Sequence, residues 1–444
     1  MEKKNNKISN GVKNKSFLII LSVLVIFATS GLFIPESLAQ INKEYRRGEM
    51  FSAGNKNYLA ASNGASVEIL EITPGGKLTK VNGIYGLESV NDLFSWQEGA
   101  KTLLAVLTGQ YLIKYNVSNP LAPRIEVKRD FYQWRGKGKY KIGYMKSLAG
   151  SSQYLFTAGN GGVRTFDRDT LAVIDNKIYT MEPSYGLAAK GNILAVIIKD
   201  KGFYDKGLIF NIASGVLMGE YKLSNKENIQ RRPAVDSAGN VYFPSDNSLV
   251  KIGVNYKVAS EYYNSVKPGL NYSYSANVSG DKVFYTNGFG LTELGENLKK
   301  EKFFFSAPTN LYGHDSWAAG AAISEDGRTA ILNKSSILLL DSKLNLLDQY
   351  IYKPLPDEPE EKGLKIVLGK YWALSGENLN IKIFGFWPNE TVGVKLGNIE
   401  QAVKVNNYGA AEVTIKVPEK SGVVLISANG QDSKLNYQTS FIIK

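Results

Sequence analysis

Residues 144–179 read YMKSLAGSSQYLFTAGNGGVRTFDRDTLAVIDNKIY. Four short runs of strand-forming residues stand in this stretch: YMKSLAG (144–150), YLFTAG (154–159), GVRTFD (162–167) and VIDNKIY (173–179). Gly, Ser, Asn or Asp fills the gaps, so the stretch predicts a four-stranded antiparallel unit. The second run has counterparts along the chain at NYLAAS (57–62), TLLAVL (102–107), ILAVII (193–198), NVYFPS (240–245), KVFYTN (282–287) and TAILNK (329–334). Their first apolar positions, Tyr58, Leu103, Tyr154, Ile193, Val241, Val283 and Ala330, lie 45, 51, 39, 48, 42 and 47 residues apart. A period of about 45 residues with four strands per unit is the sequence signature of a β-propeller, here of seven blades.

The other blades follow the same plan. RRPAVDSAGNVYFPSDNSLVKIGVNYKVASEYY (231–263) turns its inner hairpin at Asp236–Asn240, and the seventh blade turns at Glu325–Arg328. Blades 1, 2, 4 and 6 fit over about 49–85, 92–132, 185–223 and 272–305. INKEYRRGE (41–49) reads as a poor strand, so no strand exchange is expected to close the ring. TGQYLIKYNVSNPLAPRIEV (108–127) resembles the LVIVD-repeat propellers. ISEDGRTAILNKSSILLLDSKLNLL (323–347) is similar to WD-repeat-like and YVTN-like surface-layer blades, and AVDSAGNVYFPSDNSLVKI (234–252) resembles an NHL-type blade. These resemblances imply the fold over about 40–352 and no activity.

KPLPDEPEEKG (353–363), with three Pro and four acidic residues, suits an extended linker. Residues 364–444 then read as short strands: KIVLGKYWAL, NLNIKIFGF, ETVGVKL, QAVKVN, AAEVTIKV, VVLISANG and TSFIIK. Val413, Ile415 and Val417 alternate with Thr414 and Lys416, which marks a strand with one buried face. So many strands in so short a segment suggest a β-sandwich. GFWPNETVGVKLG (385–397) and the strands after it resemble the Ig-like, IPT-like modules of bacterial surface proteins, which implies a spacer or adhesion unit. The expected fold is therefore all-β: a seven-bladed β-propeller followed by a C-terminal Ig-like β-sandwich.

Residues 1–39 read as an address. Five lysines precede the apolar run 17–34 (FLIILSVLVIFATSGLFI), Pro35 breaks it, and Ser37-Leu38-Ala39 offers a cleavage site before Gln40. An uncleaved anchor helix is the competing reading, and the only expected route to a membrane, because about 18 apolar residues can just span one. Either way the protein is expected to be secreted or held at the cell surface or wall. The chain has no cysteine, which removes disulfides, thiolate metal sites and Cys nucleophiles. Its formal charge is +12, of which the first 39 residues carry +3. A basic exported protein suits anionic neighbours, although the same charge also serves solubility.

Familiar catalytic constellations are missing from the sequence. His314 is the only histidine, so a His-cluster metal site is impossible. Carboxylate pairs remain open to a glycan hydrolase or lyase, for which Asp200 or Asp205 are the candidate acids. Asp236 and Asp326 recur at equivalent hairpins and read as turn residues. No cofactor and no metal are expected.

The sharper expectation comes from blade topology. The loop between second and third strands and the connection between blades open on one face, where propellers generally take ligands. Three unusual segments fall there: KRDFYQWRGKGKYKIGY (128–144), KDKGFYDK (199–206) and SNKENIQRRP (224–233). The first interleaves cations with aromatics, a pattern that grips anionic groups while stacking on rings. The candidate ligand-binding residues are Arg129, Tyr132, Trp134, Arg135, Lys137, Lys139, Tyr140, Lys201, Tyr204, Arg231 and Arg232. The expected partner is an anionic or saccharide polymer or a surface protein; nucleic acid is possible but not favoured. The expected function is non-catalytic binding, with a glycan-active lyase or hydrolase, or a structural component of a surface assembly, as alternatives.

Overall fold

The computed structural model describes residues 45–444, apart from 88, 131–144, 175–178, 201–203, 225–230, 247, 264–272, 288–289, 296, 306–317, 334–335 and 352–364. The signal segment, the linker, His314 and the centre of the 128–144 loop lie outside the described residues. Within them the chain is all-β, without a helix, and its many four-stranded sheets are consistent with a propeller.

Seven antiparallel sheets follow one another from Tyr45 to Ile351, each made of consecutive strands in sequence order. Six have four strands. The third has three among the described residues (Met145–Gly150, Tyr154–Gly159 and Gly162–Asp167); of the expected strand at 173–179, Val173 bridges to Phe166, and 175–178 lie outside the described residues. The first strands are Tyr45–Ala53, Val90–Glu98, Met145–Gly150, Ser184–Lys190, Ala234–Val235, Ser273–Ser279 and Ala318–Ile323. Each packs against the first strand of the next sheet, and Ala318–Ile323 packs against Tyr45–Ala53. The alternation seen in sequence becomes burial between neighbouring sheets. Tyr58, Ala60 and Ile69 of sheet 1 meet Leu93, Leu104 and Tyr115 of sheet 2, for instance.

Tyr45–Ala53 corrects the reading of INKEYRRGE as a poor strand. Its charged residues do not disqualify it, because each finds a partner. Tyr45 is buried and donates to Glu68 Oε2 at 2.7 Å, Arg47 Nε stands 3.8 Å from Asp92, and the Arg47 N–H donates to Ser62 Oγ at 2.9 Å.

The tail forms two further sheets around one core. Lys365–Leu368, Asn378–Phe384 and Ala411–Lys416 make three strands; Trp372–Ala373, Asn436–Ile443, Gly422–Gly430, Thr391–Leu396 and Ile399–Lys404 make five. Ile381, Ile383 and Ile415 of the smaller sheet share that core with Val394, Ile426 and Phe441 of the larger. KIVLGKYWAL is two strands rather than one. Its first half pairs with Asn378–Phe384, and its second runs parallel to Asn436–Ile443 in the other sheet.

Candidate functional site

The site grows out of an irregularity that repeats. In six of the seven sheets the first strand carries a register shift near its start, after which the ladder resumes at Gly48, Asp92, Ser147, Gly186, Ser275 and Gly320. Such bulges re-aim side chains and twist the strand locally. The residues after them are small or polar because a neighbouring backbone passes close by. A Cβ on Gly320 would meet Arg46 O, and one on Gly186 would meet Arg231 O. Thus Arg46-Arg47 of sheet 1 and Arg231-Arg232 of sheet 5 each bring a carbonyl against the glycine of the preceding sheet.

At this level Asp92 is the hub. Its carboxylate accepts from its neighbour Leu93 N at 3.0 Å, and from Leu148 N at 2.8 Å and Ser147 Oγ at 3.2 Å in the next sheet. Ser147 Oγ in turn accepts from Leu187 N of sheet 4 at 3.1 Å. Two arginines converge on Asp92: Arg47 Nε at 3.8 Å and Arg232 Nη1 at 3.6 Å. Arg232 Nη2 also lies 3.8 Å from Glu49 Oε1. Burial alone would lower the Arg232 guanidinium, but Asp92 and Glu49 outweigh it and hold it above its ordinary value. Arg47 is shifted down by burial, against the attraction of Asp92. The Glu49 carboxyl is pushed up to about 7, chiefly by burial and further by Asp92, against the pull of Arg232 and the Ser95 N–H.

Glu49 and Arg232 line a cavity of about 170 Å³ bounded by all seven first strands, where most other lining residues are Ala or Gly. Small residues are needed there because seven strands converge. Glu49 and Phe94 also line a larger cavity of about 560 Å³ reaching the hairpins of sheets 1, 2 and 7 near Gln97 and Arg328.

The expected site residues fare differently. Tyr132, Trp134, Arg135, Lys137, Lys139, Tyr140 and Lys201 lie outside the described residues. Arg129 is on the outer strand Arg124–Asp130, its Nε donating to Leu171 O at 3.0 Å. Tyr204 begins the strand Tyr204–Asn211 and Lys199 ends the one before it, so both ends of the 199–206 segment belong to strands. Arg231 is turned inward, donating to Ser224 O at 2.5 Å and Asp246 Oδ1 at 2.6 Å. Among the described residues of this set, only Arg232 lines the central cavity. Of the candidate acids, Asp205 is buried and accepts from Tyr185 Oη, while Asp200 lies 3.9 Å from Lys206 Nζ. Asp236 and Asp326 hold their turns: Asp236 accepts from Asn240 N at 2.8 Å, and Asp326 accepts from Arg328 Nε at 2.8 Å. Arg47, Glu49 and Asp92 went unread in the sequence. The available signal was charge inside the first strand of a repeat, where only the channel offers polar company.

The tail meets the same side of the sheets. Tyr85 and Gly86 lie between the last strand of sheet 1 and the first of sheet 2, and Lys128 is near the end of the last strand of sheet 2. Antiparallel order puts these segments at the end where the first strands begin. Tyr85 packs edge-on to Tyr408 with centroids 5.6 Å apart, and Lys128 Nζ sits 3.7 Å from the Tyr111 ring centroid and 5.8 Å from that of Trp387. A Cβ on Gly86 would strike Gly385 O, so the two backbones touch. Glu390 fixes the turn that presents Trp387, accepting from Trp387 N at 2.5 Å and Ser433 N at 3.0 Å.

No protein-family model matches the chain, and no curated protein matches it. Solved structures do. U3-55K is 10% identical over 66% of this chain and 89% of that one, with a TM-score of 0.50. PorZ, a bacterial surface component of the type-IX secretion system of Porphyromonas gingivalis, is 13% identical over 91% of this chain and 59% of that one, with a TM-score of 0.43. The extracellular domain of BT4673 from B. thetaiotaomicron is 9% identical over 90% and 57%, with a TM-score of 0.46. The neighbours are thus of WD-repeat or propeller type, or bacterial surface proteins, and the likeness to U3-55K concerns the fold alone.

Proposed function

We propose that the chain is an exported, non-catalytic binding protein of the cell surface or wall, in which a seven-bladed propeller takes an anionic or saccharide polymer at its channel mouth. The seven consecutive sheets, with the last first-strand packed on the first, support seven blades. The two tail sheets around one core support an Ig-like sandwich spanning 364–444. The observation that carries the binding reading is the meeting of Arg47, Glu49, Asp92 and Arg232 from three sheets where the first strands converge. The cations and aromatics of 131–144, which follow Lys128 and Arg129 in sequence, are proposed to extend that surface.

A glycan-active enzyme has one observation in its favour: a carboxyl at about 7 is suited to general acid work. Against it, the nearest carboxylate, Asp92, is fully buried and taken up by three donors, so it is poorly placed to act on a glycosidic bond. The test is binding of the purified protein to wall polymers, acidic and neutral glycans and nucleic acid, at low and high salt. Selective, salt-sensitive binding without new reducing ends or unsaturated product is expected. Product accumulating over time would favour the enzyme, and no binding to any polymer would favour a protein partner.

A further inference from the structure

The two arginines at the convergence of the first strands narrow the binding reading, on which this inference rests. We propose that the central cavity is an oxyanion subsite, in which Arg232, with Arg47 behind it, receives one carboxylate or sulfate group pendant on an acidic polysaccharide.

The contrast between Arg231 and Arg232 carries the argument. Arg231 is sealed in, its side chain 1% exposed, and bonded at 2.5 and 2.6 Å. Arg232 opens on the cavity at 17% exposure, and its nearest carboxylate oxygens, at 3.6 and 3.8 Å, are beyond hydrogen-bond length. Arg47 meets Asp92 only at 3.8 Å. Among the described residues neither side chain makes a hydrogen bond, although each guanidinium offers five donors. Asp92 supplies charge, but its Oδ2 is engaged by Leu148 and Ser147 and its Oδ1 already accepts from Leu93, and both guanidiniums stand off that oxygen at 3.6 and 3.8 Å. A bidentate oxyanion is the partner a largely desolvated guanidinium fits best. The volume, about 170 Å³, admits a pendant group while the polymer runs outside.

Charge balance points the same way. The groups facing Glu49 are Asp92 and the Ser95 N–H from sheet 2 and Arg232 from sheet 5, while Arg47 on its own strand faces Asp92. With Glu49 protonated, two guanidiniums face one carboxylate, and an entering anion restores neutrality. Binding therefore takes up a proton and strengthens as pH falls through about 7.

Sulfate is the probe, since it does not titrate in this range. Calorimetry at constant ionic strength should give saturable binding that tightens from pH 8 to pH 6. Arg232→Gln should weaken it at least tenfold, and Glu49→Gln should abolish the pH dependence. Equal affinity in a folded Arg232→Gln variant, or binding without saturation, overturns the subsite. Should Arg232→Gln fail to fold, Glu49→Gln decides: an unchanged pH dependence also overturns it. Oligomers of a uronic acid separate the two readings. Polymer binding that survives Arg232→Gln overturns the subsite and leaves the proposed function standing. Sulfate held at Arg232 with no affinity for any polymer overturns the polymer as occupant together with the proposed function.

Discussion

Two charged clusters draw on sheet 1, and they are built in opposite ways. At the seam with sheet 7, Glu68 is fully buried. It accepts from Tyr45 Oη at 2.7 Å, Asn63 Nδ2 at 2.6 Å and Tyr350 Oη at 3.2 Å, with Lys80 Nζ at 3.5 Å. Tyr350 comes from the last sheet, so this carboxylate ties the two ends of the array together. At the channel, Arg232 meets Glu49 and Asp92 only at 3.6–3.8 Å and faces a cavity. A buried charge persists without penalty only when hydrogen bonds replace its water. The seam meets that condition and the channel does not. The first cluster is structure; the second has unspent donors.

The largest test of that difference is Glu68→Ala. It removes the carboxylate that Tyr45, Asn63, Tyr350 and Lys80 share in the seam, and guanidinium unfolding should show a loss of about 3–5 kcal/mol. A loss below about 1 kcal/mol would erase the distinction. Next comes pH. Glu49 binds its proton more tightly in the folded protein, at about 7 against an ordinary 4.5, so the fold is favoured below pH 4.5. That advantage should fade as pH rises to about 7, by on the order of 3 kcal/mol at most. Glu49→Gln should flatten unfolding midpoints across this window; an unchanged slope would assign the effect elsewhere. Trp387→Ala removes the ring beside Lys128 and should cost about 1 kcal/mol, read as faster proteolysis of the tail from an intact propeller. The smallest effect belongs to Asp326, held down to about 2 mainly by its hydrogen bonds with Arg328, against burial. Its contribution, present above pH 3.8, should disappear as pH falls towards 2. Half-exposed as it is, Asp326→Asn should change that acid limb by well under about 1 kcal/mol.

The second strands were the legible part of this molecule. ILAVII and TLLAVL bury nearly every side chain between sheets, and that requirement writes itself into the residues. First strands face a channel on one edge and obey a looser rule. RRG and VND look like loop chemistry because their partners come from sheets distant in sequence. Arg232 was singled out for standing in an unusual connection, yet its neighbours Glu49 and Asp92 lie more than 100 residues away. No spacing within one strand announces such a meeting. The split of KIVLGKYWAL between two tail sheets was hidden likewise, since both halves are apolar and only the pairing differs.

Each of the seven sheets of the array is made from one continuous piece of chain, so no shared strand joins the last sheet to the first, only packing and side-chain hydrogen bonds such as those to Glu68 and Asp348. The tail leaves the last sheet yet rests on Tyr85, Gly86 and Lys128, which belong to the first two. Its footing thus lies on the first two sheets, at the far end of the array from the strand it follows in sequence. Tension applied at the C-terminus therefore loads the contacts with the first two sheets before it reaches the last.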